Sequence, residues 1–462
     1  MSRTYRDPIH NEIKLDSTDS VEKLLIRLID TKELQRLRWI RQLGTSWYTF
    51  HGAEASRFQH SLGAMHIARL MFNHLIKKAE DRLELDQHQK EKYKALVLSA
   101  ALLHDIGHGP FSHSSESIVE TKHEVWTAKL ISSPESEVNK VLNQYDPGLA
   151  EELVQILNKT HPVKFLSSIV SSQLDCDRFD YLLRDSYYTG TSYGNFDLNR
   201  VISSLDINTK HDCLVVSGEK GMLAVEDYLY ARYSMYLQVY QHKKCLATDK
   251  LLQKLFQRAR VLIRSKRIAY IENELYNWVM EPDKLTIDDF LTVDDGYIMH
   301  HIKHWVNERD YILKDLADRF INRRIFKAFK VDKNSEGENL SFADLKARLF
   351  DNKKELLKSK NLDPDYYLDT VSIAKNPYSF YNPDTSDFFK AIFVETSSRL
   401  IEISELSHIV SSLVTDDYEN QWIISVAESE EEGELEQAAY LNPAEQDENG
   451  IPAPFEQQSL SL

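Results

Sequence analysis

The chain has 462 residues and a formal net charge of −16, with 42% hydrophobic and 28% charged residues. Because a single hydrophobic core stops growing at about 250–300 residues, this length predicts a large domain with a smaller lobe. The 14 Gly and 12 Pro residues are too few for a collagenous or loop-rich protein. Three widely spaced cysteines exclude a disulfide framework and favour a reducing, cytoplasmic compartment.

The acidic excess lies at one end of the chain. Residues 416–462 contain 13 Asp and Glu and no Lys or Arg, which leaves 59 acids and 56 bases in the preceding 415 residues. The body is therefore nearly neutral, and no overall field draws it to nucleic acid. We also expect no membrane contact, because the N-terminus lacks a signal pattern and the apolar runs are short.

Hydrophobic periodicity predicts a mostly α fold. Apolar residues recur every three or four positions over residues 20–330, which we assign to a main domain at 1–330. A cluster of Gly, Asn, Ser and charged residues near 330–342 predicts a loop and a boundary. Strands are predicted in YLDTVSIA, DFFKAIFVET and NQWIISVAE, giving a smaller α+β lobe at 331–427. The acidic remainder, 428–462, is predicted to be a disordered tail.

The densest signal for chemistry is ALLHDIGHGPFSH, residues 101–113, where an apolar helix runs into three histidines and an aspartate. His104 and Asp105 are adjacent nitrogen and oxygen donors, a mixture that Mn, Fe, Zn and Mg accept. The Gly and Pro residues after them end the helix, so His108 and His113 are predicted to lie in a loop facing the same cleft. An ordinary helix end with surface histidines is the alternative.

Two further segments contribute donors. SRFQHSLGAMHIARLMF predicts a helix with Arg57 and His60 in its first turn and a buried stripe of Leu62, Ile67, Leu70 and Met71. SSQLDCDRFDYLLRDSYYTG places four aspartates on one predicted helix, where neighbouring residues lie about 100° apart and cannot all face one site. These residues alone leave the choice between Asp177 and Asp180 open, and a solvated acidic helix is the alternative.

Taken together, six ordered segments resemble the HD-domain phosphohydrolases, and within them the deoxynucleoside triphosphate triphosphohydrolase (dNTPase) family. They are YRDPIH, DTKELQRLRWIRQLG, SRFQHSLG, LLHDIGHGPFSH, DCDRFDYLLRD and VYQHK. The resemblance extends from about Tyr5 to about Ala427. It implies an HD-domain helical core, and we expect no SAM domain before that core, unlike in mammalian members of the family.

The resemblance implies roles for individual residues. The implied ligands of a divalent metal (Mg, Mn, Fe or Zn) are His60, His104, Asp105 and Asp177. The implied catalytic positions are His108, His113, Glu116 and His123, with His113 as the acid and Glu116 in place of the family's Asp. The implied substrate positions are Gln42, Leu43, Arg57, Arg178, Tyr181, Asp185, Arg232, Tyr240 and Gln241, with Arg178 in place of a lysine.

The implied reaction is hydrolysis of a dNTP to a deoxynucleoside and inorganic triphosphate. Asp30, Gln35 and Arg38, on the predicted helix DTKELQRLR, match positions that recognise guanine in an allosteric activator site. Activation by GTP or a dNTP is therefore expected, together with a homo-oligomer, either a dimer or a homotetramer. Thr4 and Arg6 depart from the family at that site. The alternatives are another HD phosphohydrolase acting on other nucleotides, a nucleic-acid-binding or exonuclease role, and a regulatory protein without catalysis.

Overall fold

A computed structural model describes residues 2–119, 121–331, 341–373, 378, 391–397, 399–415 and 420–426. Most of the predicted boundary loop, and all of the predicted acidic tail, lie outside these residues. Among the described residues, no helix is both long enough and apolar enough to cross a membrane.

The described residues form 22 α-helices and nine β-strands, which confirms the predicted mostly α fold. The helices are α1 (Ser20–Ile29), α2 (Lys32–Arg36), α3 (Arg57–Lys78), α4 (Glu80–Leu83), α5 (Gln87–Leu103), α6 (His113–Val119), α7 (His123–Ser132), α8 (Glu137–Tyr145), α9 (Leu149–Leu157), α10 (Lys164–Val170), α11 (Cys176–Thr189), α12 (Leu198–Ser204), α13 (Gly218–Met235), α14 (Lys243–Arg264), α15 (Asn273–Met280), α16 (Ile287–Thr292), α17 (Asp295–Trp305), α18 (Tyr311–Ile321), α19 (Phe342–Ser359), α20 (Pro364–Tyr367), α21 (Ile403–Leu406) and α22 (His408–Thr415). The strands are β1 (Ser2–Asp7), β2 (Asn11–Asp16), β3 (Leu205–Asn208), β4 (Cys213–Ser217), β5 (Lys327–Lys330), β6 (Leu368–Ile373), β7 (Phe393–Glu395), β8 (Leu400–Glu402) and β9 (Asn420–Ser425).

Two compact units interleave along the chain. The first comprises the described parts of 1–242, 285–296 and 374–418, and the second those of 243–284, 297–373 and 419–462. In the first unit, α3 packs against both α5 and α11. These three helices carry the predicted metal ligands or end next to them.

Helix α3 begins at Arg57, so Arg57 and His60 lie in its first turn as predicted. Ser56 and Gln59 form a capping box, which satisfies backbone donors at the helix start. Leu62, Ile67 and Met71 are buried as predicted, but Leu70 is 36% exposed and that part of the prediction is wrong. Leu70 shows that an apolar residue near the edge of a helical stripe need not face the core.

Helix α5 fixes the position of the His-Asp pair. Every residue from Ala95 to Leu103 is buried, so the C-terminal half of the helix is anchored in the core. His104 is its C-cap, and Asp105 comes immediately after it. The burial of this apolar run, predicted for Ala100–Leu103, places both donors on a rigid support.

The turn between α5 and α6 is strained and well supported. Phe111 and Ser112 have φ angles of +54° and +55°, in the left-handed region that side chains other than Gly rarely adopt. The backbone N–H of Phe111 donates to Asp295 Oδ1 at 2.7 Å, and Ser112 Oγ donates to the carbonyl of Arg41 at 2.6 Å. His108 lies in this turn as predicted, whereas His113 is the first residue of α6.

The sheets are small. In the first unit, β1 pairs with β2, and a four-stranded sheet has the order β3-β4-β7-β8. In the second unit, β9 lies between β5 and β6 and is antiparallel to both. The strands predicted in YLDTVSIA and NQWIISVAE are confirmed as β6 and β9, and the end of DFFKAIFVET forms β7. The predicted turn KNPYSFYNPD lies outside the described residues except for Tyr378.

Candidate metal centre

Three side chains, from α3, from the C-cap of α5 and from α11, converge on one point. His60 Nε2 lies 3.3 Å from His104 Nε2 and 3.1 Å from Asp177 Oδ1, and His104 Nε2 lies 3.6 Å from the same carboxylate oxygen. The fourth predicted ligand, Asp105, places Oδ1 3.3 Å from His104 Nε2 and Oδ2 3.6 Å from His60 Nε2. The structure therefore brings together all four side chains that the sequence resemblance assigns to a metal.

The Nδ1 atoms of His60 and His104, which point away from the convergence point, already form hydrogen bonds. His60 Nδ1 is 2.8 Å from Asp180 Oδ2, and His104 Nδ1 is 2.9 Å from the carbonyl oxygen of Ala101. Both partners are acceptors, so each Nδ1 carries the hydrogen, and each Nε2 of a neutral ring presents a lone pair. Two lone pairs and two carboxylates facing one point repel one another unless a cation lies between them. This donor set fits a divalent metal.

The electrostatics of the group agree with that fit. Burial lowers the pKa of His60, but hydrogen bonds to Asp177 and Asp180 outweigh it and raise the pKa to about 10, so a ring with no metal beside it takes up a proton on Nε2, where a cation would otherwise lie. Burial opposes ionisation of Asp177, yet the two histidines hold its pKa well below the usual range. Arg57 does the same for the pKa of Asp105. The carboxylates thus stay ionised inside the protein and attract positive charge.

Distances distinguish Asp177 from Asp180, the two aspartates between which residue patterns alone could not choose a metal ligand. Asp177 faces the inner nitrogen of His60, whereas Asp180 accepts from its outer nitrogen, so Asp180 positions the ring. Asp180 also contacts His10 Nε2 at 2.7 Å and accepts from Arg184 Nε at 2.8 Å. Gly63 leaves room for this contact, because a Cβ there would lie 1.9 Å from Asp180 Oδ1.

Sequence reasoning missed the supporting role of His10, Asp7 and Arg184. Arg184 Nη1 donates to Asp7 Oδ2 at 2.9 Å, which ties the end of β1 to α11. The YRDPIH segment that contains Asp7 and His10 was part of the resemblance, but nothing in its pattern indicates which residue it would support. The distant pairing with α11 supplies that information.

A second group of donors lies next to the first. His108, His113, Glu116 and His123 also have ligand atoms within 4.8 Å of one another. Glu116 Oε1 accepts from His123 Nδ1 at 2.6 Å and from His113 Nδ1 at 3.2 Å, and the rings of His108 and His123 stack with centroids 3.7 Å apart. The four predicted catalytic positions therefore form one connected cluster.

Asp105 joins the two groups. Its Oδ1 lies 3.3 Å from His108 Nε2 and also 3.3 Å from His104 Nε2. Arg57 donates from Nη1 to Asp105 Oδ2 and from Nε to Ser112 Oγ, the latter at 2.8 Å. Burial and Arg57 hold the pKa of His108 well below its usual range, so this ring is neutral.

Several predicted substrate positions carry buried polar atoms that lack a hydrogen-bond partner among the described residues. Such atoms are rare in folded proteins because desolvation without a partner is costly. At these positions they are Gln42 Oε1, Arg178 Nε, Asp185 Oδ1, Arg232 Nε and Gln241 Oε1. A polar ligand that pairs with these atoms would remove that cost.

Side chains at the predicted substrate positions are held by their neighbours. Tyr240 donates to Asp185 Oδ2 at 2.9 Å, and its ring meets Tyr181 edge-on at 6.0 Å. Tyr240 ends a five-residue π-helix that begins at Tyr236, a distortion frequent at functional sites. Arg232 Nη1 donates to the side chain of Gln173 at 2.6 Å. Leu43 precedes a short 3₁₀ helix, Gly44–Tyr48.

The predicted activator residues do not lie on one continuous helix. Asp30 is the C-cap of α1, Gln35 is in α2 and Arg38 is in the 3₁₀ turn Leu37–Trp39. Arg38 Nε donates to Gln35 Oε1 at 2.8 Å, and the guanidinium stacks over Phe58 at 3.6 Å. Asp30 Oδ1 accepts from Arg3 Nη1 at 2.6 Å, so it pairs with the β1 strand.

Comparison with known families agrees with this architecture. Residues 57–183 match the HD domain family, and residues 196–442 match the HD associated region family. The chain belongs to the HD-domain phosphohydrolase superfamily. The first match includes His60, His104, Asp105 and Asp177, so the group that could hold a metal in this HD-domain protein lies inside the matched region.

Individual relatives extend the comparison. The uncharacterized protein YwfO of Bacillus subtilis is 39% identical over 412 residues, which cover 89% of each chain. The deoxynucleoside triphosphate triphosphohydrolase SAMHD1 of Homo sapiens is 29% identical over 290 residues, 56% of this chain and 44% of that protein. A crystal structure of a phosphohydrolase from Bacteroides thetaiotaomicron superimposes with a TM-score of 0.75 at 29% identity, covering 92% of this chain and all of that one. The resemblance inferred from the ordered motifs is confirmed.

Proposed function

We propose that this HD-domain protein hydrolyses deoxynucleoside triphosphates to a deoxynucleoside and inorganic triphosphate. The observation that carries the proposal is the convergence of His60 and His104 Nε2 with the Asp105 and Asp177 carboxylates, which would hold a divalent metal. The 29% identity to SAMHD1 proteins supports the choice of substrate class. Mg, Mn, Fe and Zn all accept this set of donors.

A divalent ion held there would polarise a phosphoryl oxygen and lower the pKa of a water molecule. The chain's own residues supply the rest of the reaction. His60 and His104 are held by Asp180 and the Ala101 carbonyl, so they need no reorganisation during turnover. Buried Arg57, fixed between Asp105 and Ser112, adds positive charge beside the phosphate-binding region.

The second donor group, His108, His113, Glu116 and His123, would carry out proton transfer. Hydrogen bonds from His113 and His123 hold the pKa of Glu116 well below its usual range, against the effect of burial, so its carboxylate stays ionised. That carboxylate orients the Nδ1 atoms of His113 and His123. The side chain of His113 is 69% exposed, which allows it to meet a leaving group. We assign to His113 the protonation of the departing 5′-oxygen.

The orphaned polar atoms support the binding of a triphosphate and a sugar. Arg178 Nε and Arg232 Nε suit phosphate oxygens, and an arginine fork binds them directionally. Asp185 Oδ1 suits a sugar hydroxyl, with Tyr240 holding the other carboxylate oxygen. We assign discrimination against ribonucleotides to packing of Leu43 and Tyr240 against C2′, and contacts to the base to Gln42 and Gln241.

We extend the proposal to regulation. Asp30, Gln35 and Arg38 would recognise the guanine of an activating GTP, or a dNTP, at an interface of a homodimer or homotetramer. The three cysteines are buried and none forms a disulfide, which is compatible with a reducing cytoplasm.

The test is a product assay on protein freed of metal and reloaded with Mg, Mn, Fe or Zn. Each dNTP and each ribonucleotide is incubated with and without GTP, and the phosphate product is separated by ion exchange. Inorganic triphosphate from dNTPs is the expected product, with faster turnover when GTP is present. Pyrophosphate or single phosphate as the product, or no turnover with any metal, would contradict the proposed reaction. Absence of a GTP effect would contradict only the activator site.

A further inference from the structure

The connection between α10 and α11 contacts both arginines that we assign to the triphosphate. It spans residues 171–175. Gln173 accepts a hydrogen bond from Arg232, and Asp175, the last residue of the connection, accepts one from Arg178. One short stretch of backbone therefore holds guanidinium groups that come from two different helices, α13 and α11.

Gln173 is attached to α13 at two points. Arg232 Nη1 donates to Gln173 Oε1 at 2.6 Å, and the Tyr228 hydroxyl donates to the backbone carbonyl of Gln173 at 2.8 Å. Tyr228 and Arg232 are both buried and lie four residues apart, so they share one face of the helix. Because Tyr228 fixes the backbone of Gln173, the amide side chain holds the Arg232 guanidinium from a fixed starting point.

Asp175 holds Arg178 in a different way. Its fully buried carboxylate accepts from the backbone N–H groups of Arg178 and Ser172, both at 2.7 Å, and it also pairs with the Arg178 guanidinium. A carboxylate in contact with a guanidinium cancels most of its charge for a third group. Gln173 is neutral, so Arg232 is held in place and keeps its full positive charge.

Both guanidiniums retain donors after these contacts are made. A guanidinium has five N–H donors. In the part of the chain that the structure describes, the buried Nε atoms of Arg178 and Arg232 have no acceptor. Two guanidiniums and one carboxylate leave this group with an excess of positive charge, which the oxygens of a phosphate chain would balance.

We propose that Gln173 is a positioning residue for the triphosphate, which orients Arg232 without neutralising it. The inference rests on the proposed function only in so far as Arg232 binds phosphate. An apolar side chain at this position would preserve the charge of Arg232 but not its orientation. A glutamate would preserve the orientation but cancel the charge. The neutral amide preserves both.

Binding of inorganic triphosphate to the metal-loaded full chain, measured by titration calorimetry, tests the role of Gln173. Gln173→Met has a similar size but no acceptor, and we expect affinity to fall by about tenfold, the effect of losing one hydrogen bond to a charged group. Gln173→Glu keeps the acceptor, yet affinity should fall at least as much. A purely structural role predicts instead that Gln173→Glu binds as tightly as the wild type, and that result would overturn the proposal.

A matched control is available on α8. Gln144 is exposed and accepts a hydrogen bond from Arg27. Gln144→Met and Gln144→Glu should leave triphosphate affinity unchanged. Thermal unfolding shows whether each variant is folded, and Gln173→Glu, which keeps the hydrogen bond, maintains the test if Gln173→Met is unstable. Equal losses of affinity in the Gln144 and Gln173 variants would contradict a specific role of Gln173.

A double-mutant cycle shows whether Gln173 acts through Arg232. Arg232→Met alone should weaken triphosphate binding strongly. Adding Gln173→Met to that variant should change the affinity by less than about twofold, because the group that Gln173 orients is already missing. Losses that add in full in the double variant would show that Gln173 acts by another route and would overturn the proposal.

Steady-state kinetics with a dNTP separate this inference from the proposed function. The triphosphate chain is bound in the ground state and in the transition state alike, so Gln173→Met should raise KM by about tenfold and change kcat by less than about twofold. A fall in kcat at constant KM would contradict a positioning role. Failure of the wild type to hydrolyse any dNTP would overturn the proposed function, whereas the triphosphate titrations would still decide the role of Gln173.

Discussion

Two groups of histidines and acids lie side by side in the first unit, and they are held in different ways. In the group that would hold a metal, each histidine donates a hydrogen bond from Nδ1. Asp180 accepts the one from His60, and the Ala101 carbonyl accepts the one from His104. In the other group, His113, Glu116 and His123 hold one another through a single carboxylate oxygen. The His60 side chain is 0% exposed, whereas that of His113 is 69% exposed.

This contrast suits the two chemical tasks that we propose for these groups, metal binding and proton transfer. A metal ligand must keep its donor atom within a few tenths of an ångström, so fixing both ring nitrogens is useful. A proton donor must reach a substrate that arrives and leaves, so exposure and a shared carboxylate suit it better. Asp105, which contacts both groups, couples the positions of the two.

Replacement of a metal-facing residue should have the largest effect. His104→Ala removes one of the two Nε2 donors, and we expect bound metal to be lost and hydrolysis to fall by at least about 10³-fold, which corresponds to several kcal/mol of transition-state stabilisation. Metal content by mass spectrometry and turnover should fall together. His211→Ala, at an exposed turn, serves as the control. Retention of full metal and activity in His104→Ala would refute the ligand assignment.

Replacement in the second group should separate activity from metal content. Glu116→Gln removes the charge that orients His113 and His123, and we expect turnover to fall by about 10²-fold or more with the bound metal unchanged. Steady-state kinetics and metal analysis on the same sample measure both quantities. If bound metal is lost together with activity, the second group is part of the metal site. That result would contradict the proposed division between a metal-binding group and a proton-transfer group.

Replacement of Asp180, which accepts a hydrogen bond from His60 Nδ1, should have an intermediate effect on metal affinity. Asp180→Asn keeps the shape but not the charge, and we expect metal affinity to fall by about 10–100-fold. Metal titration against a competing chelator measures it. Asp315→Asn is a matched control, because Asp315 is also buried and pairs with an arginine four residues later. Both variants should lose stability, but a similar loss of metal affinity in the control would argue against a positioning role.

The smallest effect concerns pH and stability. Burial raises the pKa of Asp185 to about 7, although the hydrogen bond from Tyr240 opposes it. The unfolded chain ionises this group near pH 4, so its contribution to folding stability declines as the pH rises from about 4 to 7 and is constant above. Asp185→Asn should remove that decline, a difference of roughly a few degrees in Tm across this range. Tyr240→Phe should extend the decline to higher pH, because the hydrogen bond that it removes lowers the pKa of Asp185. Parallel Tm curves for the wild type and Asp185→Asn would contradict the raised pKa.

Residue patterns predicted much of this molecule. The buried end of α5, the strands β6 and β9 and the start of α3 all follow from local periodicity and capping. The same local rule failed at Leu70, because a residue near the edge of a stripe faces the core only if a neighbouring element covers it. The resemblance to a family supplied the information that periodicity lacked, namely the choice of Asp177 and the substrate positions.

His104 and Asp105 are adjacent and lie at the end of an apolar helix. Both facts concern a few consecutive residues, so the sequence alone predicts them. The pairing of Asp180 with His60, 120 residues away, and with His10, 170 residues away, could not be read from the sequence. The pairing of Ser425 in β9 with Lys327 in β5 could not be read from the sequence either. Local patterns encode helices and their ends because backbone hydrogen bonds are short-range. Distances between remote segments depend on how the whole core packs, and those distances separate a metal ligand from the residue that supports it.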